Sequence, residues 1–168
     1  MGEMMPNIAD AQRKEARGYV LGAPDGERLI NRGGDVFIKV DPGRGSQNVS
    51  LGTQQVPPGV GIPRHRHACM DEFIYVLEGS GTFLLDDERH PIEKGGTIFI
   101  PKGSWHALEN PGGEVVILWA VSPTGQEEFF RAISSRPGEP PKHLTAEQTL
   151  AIRLQVEADQ LERLSSHS

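Results

Sequence analysis

The stretch GVGIPRHRHACMDEFIYVLEG, Gly59 to Gly79, decides how the rest of the chain reads. His65 and His67 stand two residues apart. In an extended strand alternate side chains share a face, so both imidazoles point the same way. Glu72 follows after the gap Ala68-Cys69-Met70-Asp71, long enough for a turn and short enough to bring a carboxylate back beside the rings. Further along, Pro101-Lys102-Gly103-Ser104-Trp105-His106 offers a third imidazole from a neighbouring strand. Three imidazoles and one carboxylate make a borderline N/O donor set, which suits Fe, Mn, Co, Ni or Zn rather than Ca or Mg. Four protein ligands on one side of an octahedron leave two positions for water, substrate or oxygen, as a reactive site requires.

Outward from this stretch, short strand signals recur between glycine and proline turns. They fall at Tyr19-Val20-Leu21, Val36 to Val40, Val49 to Leu51, Phe73 to Leu77, Thr82 to Leu85, Thr97 to Ile100 and Val115 to Val121. Gly79-Ser80-Gly81, Gly95-Gly96 and Pro111-Gly112-Gly113 separate them, and Asp86 to Arg89 reads as a solvent-facing hairpin turn. Short strands at this spacing argue for a sandwich or barrel. The 20 Gly and 13 Pro agree, since both residues carry a penalty inside helices.

After Ser122 the pattern changes. GQEEFFRAI, from Gly125 to Ile133, predicts a short helix with Phe129 and Phe130 buried, and Arg136 to Pro141 a linker. Thr145-Ala146-Glu147-Gln148 is a capping-box signature, with Thr145 as N-cap and Gln148 reaching back. Beyond it Leu150, Leu154, Leu161 and Leu164 recur near helical spacing and predict an amphipathic helix. That helix either packs outside the barrel or in a dimer, or forms a lid over the barrel mouth. Residues 1–18 read as a disordered lead or a short helix, 19–122 as the β-barrel and 123–168 as a C-terminal helical extension.

Composition excludes several classes. The net charge is −6, from 23 acidic and 17 basic residues, with no basic face of the kind that binds nucleic acid. The single cysteine, Cys69, forbids an internal disulfide, and its place between His67 and Glu72 makes it either a reactive thiol or a buried loop residue. The longest apolar run, Val115 to Val121, is too short to span a bilayer, and the first residues lack the apolar core of a signal peptide. The expectation is a cytoplasmic protein with no membrane or nucleic-acid partner.

The spacing Gly59, His65, His67, Glu72, Gly79 resembles the first motif of the cupin superfamily at every fixed position. Gly95, Pro101, Gly103, His106, Asn110 resembles the second in the same way. GYVLGAPDGERL, DEFIYVLEGSGTF and SPTGQEEFFRAI extend a looser resemblance to single-domain, quercetinase-like cupins. The resemblance implies an all-β jelly-roll barrel (a double-stranded β-helix) with short helices at the C-terminus. It implies one divalent transition metal ion in the barrel mouth, held by His65, His67, Glu72 and His106, with Glu72 doubling as the catalytic proton acceptor. Strand parity places Ile74, Val76 and Leu108 in the pocket wall, with Phe83 or Leu84 and Ile98 or Ile100 beside them. The same parity turns Arg64 and Arg66 away from the metal and packs Trp105 beneath the adjoining sheet. The implied activity is a dioxygenase acting on a small phenolic, enolic or diketone-like molecule. The alternatives are a Lewis-acid isomerase, decarboxylase or hydrolase, or a small-molecule-binding cupin without turnover. Relatives of this type dimerise through sheet faces, so a homodimer is expected, with Tyr19 to Val40 and the C-terminal helix as contributors.

Overall fold

The computed structural model describes residues 17–166; the lead over residues 1–18, read as disordered or as a short helix, therefore falls almost entirely outside the described residues. Among the described residues ten strands form two antiparallel sheets. They are β1 (Glu27–Asn31), β2 (Gly34–Val40), β3 (Ser50–Val56), β4 (Ile62–His65), β5 (Asp71–Glu78), β6 (Ser80–Leu85), β7 (Glu88–Glu93), β8 (Thr97–Ile100), β9 (His106–Glu109) and β10 (Val115–Ser122). One sheet has six strands in the order β1-β2-β3-β10-β5-β8, and the other has four in the order β4-β9-β6-β7. This is the jelly-roll that the resemblance implies, with helices α1 (Gln126–Ile133) and α2 (Ala146–Ser166) following it.

Period-two alternation builds the core. On β10, Val115, Ile117, Trp119 and Val121 point inward; on β5, Ile74 and Val76 do. Val115, Ile117, Ile74 and Val76 meet Phe83, Ile92 and Leu108 from the smaller sheet in one apolar cluster, while Trp119 and Val121 pack in neighbouring ones. Each such side chain, fully buried, stabilises the fold by roughly 1.5–3 kcal/mol before entropy is charged against it. Gly52 on β3 is fixed by this packing: a Cβ there would lie 2.5 Å from Trp119 Cζ2.

Four strands do not cover the inner face of six. Over β1 and β2 the missing layer is supplied by α1: Leu29, Val36, Ile38 and Trp119 pack with Phe129 and Phe130, and Ile152 and Val156 of α2 close the cluster. Thr145 and Gln148 make both capping-box hydrogen bonds, Thr145 N–H to Gln148 Oε1 at 2.9 Å and Gln148 N–H to Thr145 Oγ1 at 3.1 Å.

Three expectations need correction. Tyr19-Val20-Leu21 forms no strand; Val20 is 96% exposed and Tyr19 is tied only through its hydroxyl to the Lys39 carbonyl, because no neighbouring strand offers it a ladder. Trp105 is not beneath a sheet. It is exposed, with the Arg66 and Arg64 guanidinium groups 4.9 and 5.5 Å from its ring centroid, a cation–π stack on the barrel exterior. The leucine stripe of α2 is also not its packing face: Leu150, Leu154, Leu161 and Leu164 are all exposed, and the buried side instead carries Glu157 and Gln160.

Candidate metal centre

His65 is the last residue of β4 and pairs in register with His106, the first residue of β9. His67 lies two residues past the end of β4, so strand parity alone does not aim it; the turn through Ala68 to Met70 does. Glu72 is the second residue of β5 and faces inward on the same side as Ile74 and Val76. The four side chains converge: one ligand atom from each lies within 4.8 Å of the others. Glu72 Oε2 stands 3.1 Å from both His67 Nε2 and His106 Nε2. His67, His106 and Glu72 are buried, while His65 is half-buried and marks the open side of the site.

The outer ring nitrogens explain the orientation of two of the imidazoles. His65 Nδ1 lies 2.8 Å from the Pro63 carbonyl and His106 Nδ1 3.1 Å from the Ser104 carbonyl. A carbonyl only accepts, so each Nδ1 carries the proton and each Nε2 turns its lone pair inward. His106 Nε2 is buried without an aligned hydrogen-bond partner, despite its short approach to Glu72. An inward, orphaned imidazole lone pair beside an ionised carboxylate is what a transition metal ion requires of its ligands. The donor set therefore fits such an ion, and the identity of the metal is left open by a mixed N/O set.

Electrostatics reinforce the arrangement. Burial by itself pushes the Glu72 carboxyl up, but the close His106 and His67 rings outweigh it and hold it well below the usual carboxylate range. Burial, then the Arg153 guanidinium and the two neighbouring rings, push the His65 imidazole well below its ordinary value. These effects favour an ionised Glu72 carboxylate and a neutral His65 imidazole, the protonation states in which these two groups bind metal.

Ile74, Val76 and Leu108 all belong to the apolar cluster beneath the ligands. Phe83 rather than Leu84 is the buried choice on β6, its ring nearly parallel to that of His106 at 6.1 Å between centroids. Ile100 is buried, and Ile98 packs partly against the same cluster. Arg64 and Arg66 point outward, as parity expects. Cys69 is a buried loop thiol whose Sγ donates to Gln160 Oε1 at 3.0 Å; burial, aided by Glu157, pushes its pKa up, away from reactivity.

Sequence reasoning missed the residues that reach the site from α2. Arg153 Nη1 lies 3.4 Å and Glu157 Oε1 4.0 Å from His67 Nδ1, and Glu157 Oε1 faces the Ala68 N–H at 3.4 Å. Arg153 also covers the Phe129 ring at 3.9 Å. The signal was present as polar residues at 153, 157 and 160, a helical stripe beside the more conspicuous leucines.

Comparison with known proteins agrees with this architecture. A family profile described as the cupin domain matches residues 52–121. An uncharacterised protein of Methanocaldococcus jannaschii is 41% identical over 63 residues, spanning 38% of this chain and 50% of its own length. A gentisate 1,2-dioxygenase of Ralstonia sp. is 33% identical over 89 residues, 49% of this chain and 25% of that protein. The chain thus spans at most about half the length of these two curated relatives. The polyketide cyclase RemF of Streptomyces resistomycificus superposes with a TM-score of 0.58 at 22% identity, over 84% of this chain and 97% of its own, a likeness of fold. With both motifs brought together in a jelly-roll, residues 52–121 match the cupin domain, and the solved structures share its fold.

Proposed function

We propose that this chain is a metal-dependent dioxygenase acting on a small phenolic, enolic or diketone-like molecule. The observation that carries the reading is the convergence of His65, His67, Glu72 and His106 at one end of an apolar barrel interior. A transition metal ion held there would supply electronic coupling between an oxygen-donor substrate and dioxygen. The chain's own residues do the rest. Ile74, Phe83 and Leu108 exclude water beneath the ligands and favour a flat, apolar substrate body. Glu72, buried, is the only carboxylate among the four ligands and so the one ligand group placed to accept a proton from a substrate hydroxyl or enol. The relative named gentisate 1,2-dioxygenase supports the dioxygenase reading over the matched region.

The test is oxygen uptake by protein loaded separately with Fe, Mn, Co and Ni against a panel of phenols, enols and diketones. Uptake with at least one pairing is expected. Turnover that proceeds equally without oxygen would move the assignment to redox-neutral Lewis-acid chemistry, and tight binding without product to a binding protein.

For assembly, we propose a homodimer. Phe73, Tyr75 and Phe99 stand on the outer face of β5 and β8, each more than two-fifths exposed, and Phe73 and Phe99 are cross-strand partners with centroids 5.1 Å apart. A contiguous aromatic patch on rigid strands is costly to leave in water and matches the flat face of a second copy.

A further inference from the structure

We propose that Glu157 on α2 is a positioning residue for the metal centre: it takes the Nδ1 proton of His67 and so holds that ring's Nε2 toward Glu72. The inference rests on the metal-centre reading above and extends it to the C-terminal helix.

The argument starts from an asymmetry among the three imidazoles. His65 and His106 each donate Nδ1–H to the carbonyl two residues earlier in the chain, at 2.8 and 3.1 Å. Each is therefore oriented by its own strand. For His67, no local carbonyl is found within hydrogen-bond reach of Nδ1. Its outer nitrogen faces α2, where Arg153 Nη1 donates toward it at 3.4 Å in the metal-free chain and Glu157 Oε1 stands next at 4.0 Å, so a proton on Nδ1 requires Arg153 to give way to Glu157. An imidazole that binds a cation through Nε2 keeps its proton on Nδ1 and needs an acceptor for it. A guanidinium has no acceptor. Glu157 does, and it is the carboxylate that faces this nitrogen.

Glu157 is built into place for the task. Its Oε1 faces the Ala68 N–H, the residue directly after His67, so the carboxylate already straddles the ligand loop. One turn further on, Gln160 is 2% exposed and accepts from Cys69 Sγ at 3.0 Å while its Nε2 donates to the Thr124 carbonyl, also at 3.0 Å. Ile152 and Val156 anchor the same face of α2 in the apolar cluster behind Trp119. The helix thus clamps residues 67–69 from outside the barrel. At 4.0 Å the carboxylate is too far for a hydrogen bond, so it must approach by about 1 Å when the ring presents its proton.

The rival role for Glu157 is to balance the buried Arg153 charge and nothing more. The two separate experimentally. Full-length protein labelled with 15N-histidine is loaded with Zn2+, and the His67 Nδ1–H signal is followed by NMR together with Zn2+ affinity by chelator competition. In the unmutated protein a downfield, slowly exchanging Nδ1–H is expected. Glu157→Gln keeps an acceptor oxygen and should retain that signal with affinity within about threefold. Glu157→Leu should lose the signal and weaken Zn2+ binding by about 10–100-fold. A His67 Nδ1–H that exchanges freely in the unmutated Zn2+ form overturns the proposal, as does a folded Glu157→Leu protein with unchanged affinity. Should Glu157→Leu not fold, the unmutated signal decides alone. Failure of the unmutated protein to bind Zn2+ at all would instead overturn the metal-centre reading.

Discussion

Ser50 on β3 donates its hydroxyl to the Glu127 carboxylate on α1, and both residues are 1% exposed or less. The same oxygen of Glu127 accepts the Gly125 N–H at 2.8 Å. One buried carboxylate therefore fastens the barrel to the first turn of the helix that completes its core. Glu127→Ala strands a hydroxyl and an amide away from water, so a loss of about 2–4 kcal/mol is expected, read by chemical denaturation. Ser50→Ala should cost less, because Glu127 keeps the Gly125 amide. Equal stability of Glu127→Ala and the parent would refute the link.

Gly52→Ala should be destabilising by about 1–3 kcal/mol. The added Cβ would meet Phe37 O at 2.3 Å and Trp119 Cζ2 at 2.5 Å, backbone on one side and a rigid ring on the other. Neither neighbour yields cheaply. A Tm unchanged within a degree or two would show that β3 and β10 are less tightly packed than described.

Metal content tests the ligand set directly. Protein purified without added metal and analysed by elemental analysis should carry close to one transition metal ion per chain. His106→Ala or Glu72→Gln should empty the site, since each removes one of four donors, while Arg66→Ala, which leaves only the Trp105 stack, should not. Retention of metal by His106→Ala would break the assignment of the second motif.

The metal-free protein should lose stability as the pH falls. In the unfolded chain a histidine takes up a proton near pH 6.5. His65 in the fold resists it because burial and the Arg153 charge disfavour the imidazolium. Below about pH 6.5 the unfolded state therefore binds the extra proton, and stability declines. Glu72 adds a second loss in the same direction below the ordinary carboxylate range, because its folded form holds off protonation. A Tm profile of the metal-free protein that is flat from pH 7 to 4 would contradict both.

The aromatic face of β5 and β8 predicts the oligomeric state. Light scattering after size exclusion should give twice the chain mass, and Phe99→Asp with Tyr75→Asp should give the monomer with unchanged circular dichroism. A monomeric parent protein would leave that face without its second copy.

Much of this architecture was legible in the chain itself. The period-two runs on β5, β8 and β10 and the glycine turns between them declare a β-barrel, and Gly79, Gly95 and Gly103 all adopt the positive φ that turns favour for glycine. The spacing of His65, His67, Glu72 and His106 announces a donor set because local geometry and residue chemistry suffice to recognise one. Strand β7 is harder to read: ERHPIE carries no apolar alternation, and it is held by pairing with β6 rather than by its own pattern.

What only the tertiary structure decided is where α2 goes and which side it buries. Its leucines are the louder signal, yet Leu150 and Leu154 face solvent while Arg153, Glu157 and Gln160 reach the ligand loop. Hydrophobic periodicity reports that a helix has two faces; it does not report that a buried partner, here an imidazole nitrogen, a thiol and an amide, awaits the polar one. That pairing joins residues some ninety positions apart, and no local rule of sequence spans such a distance.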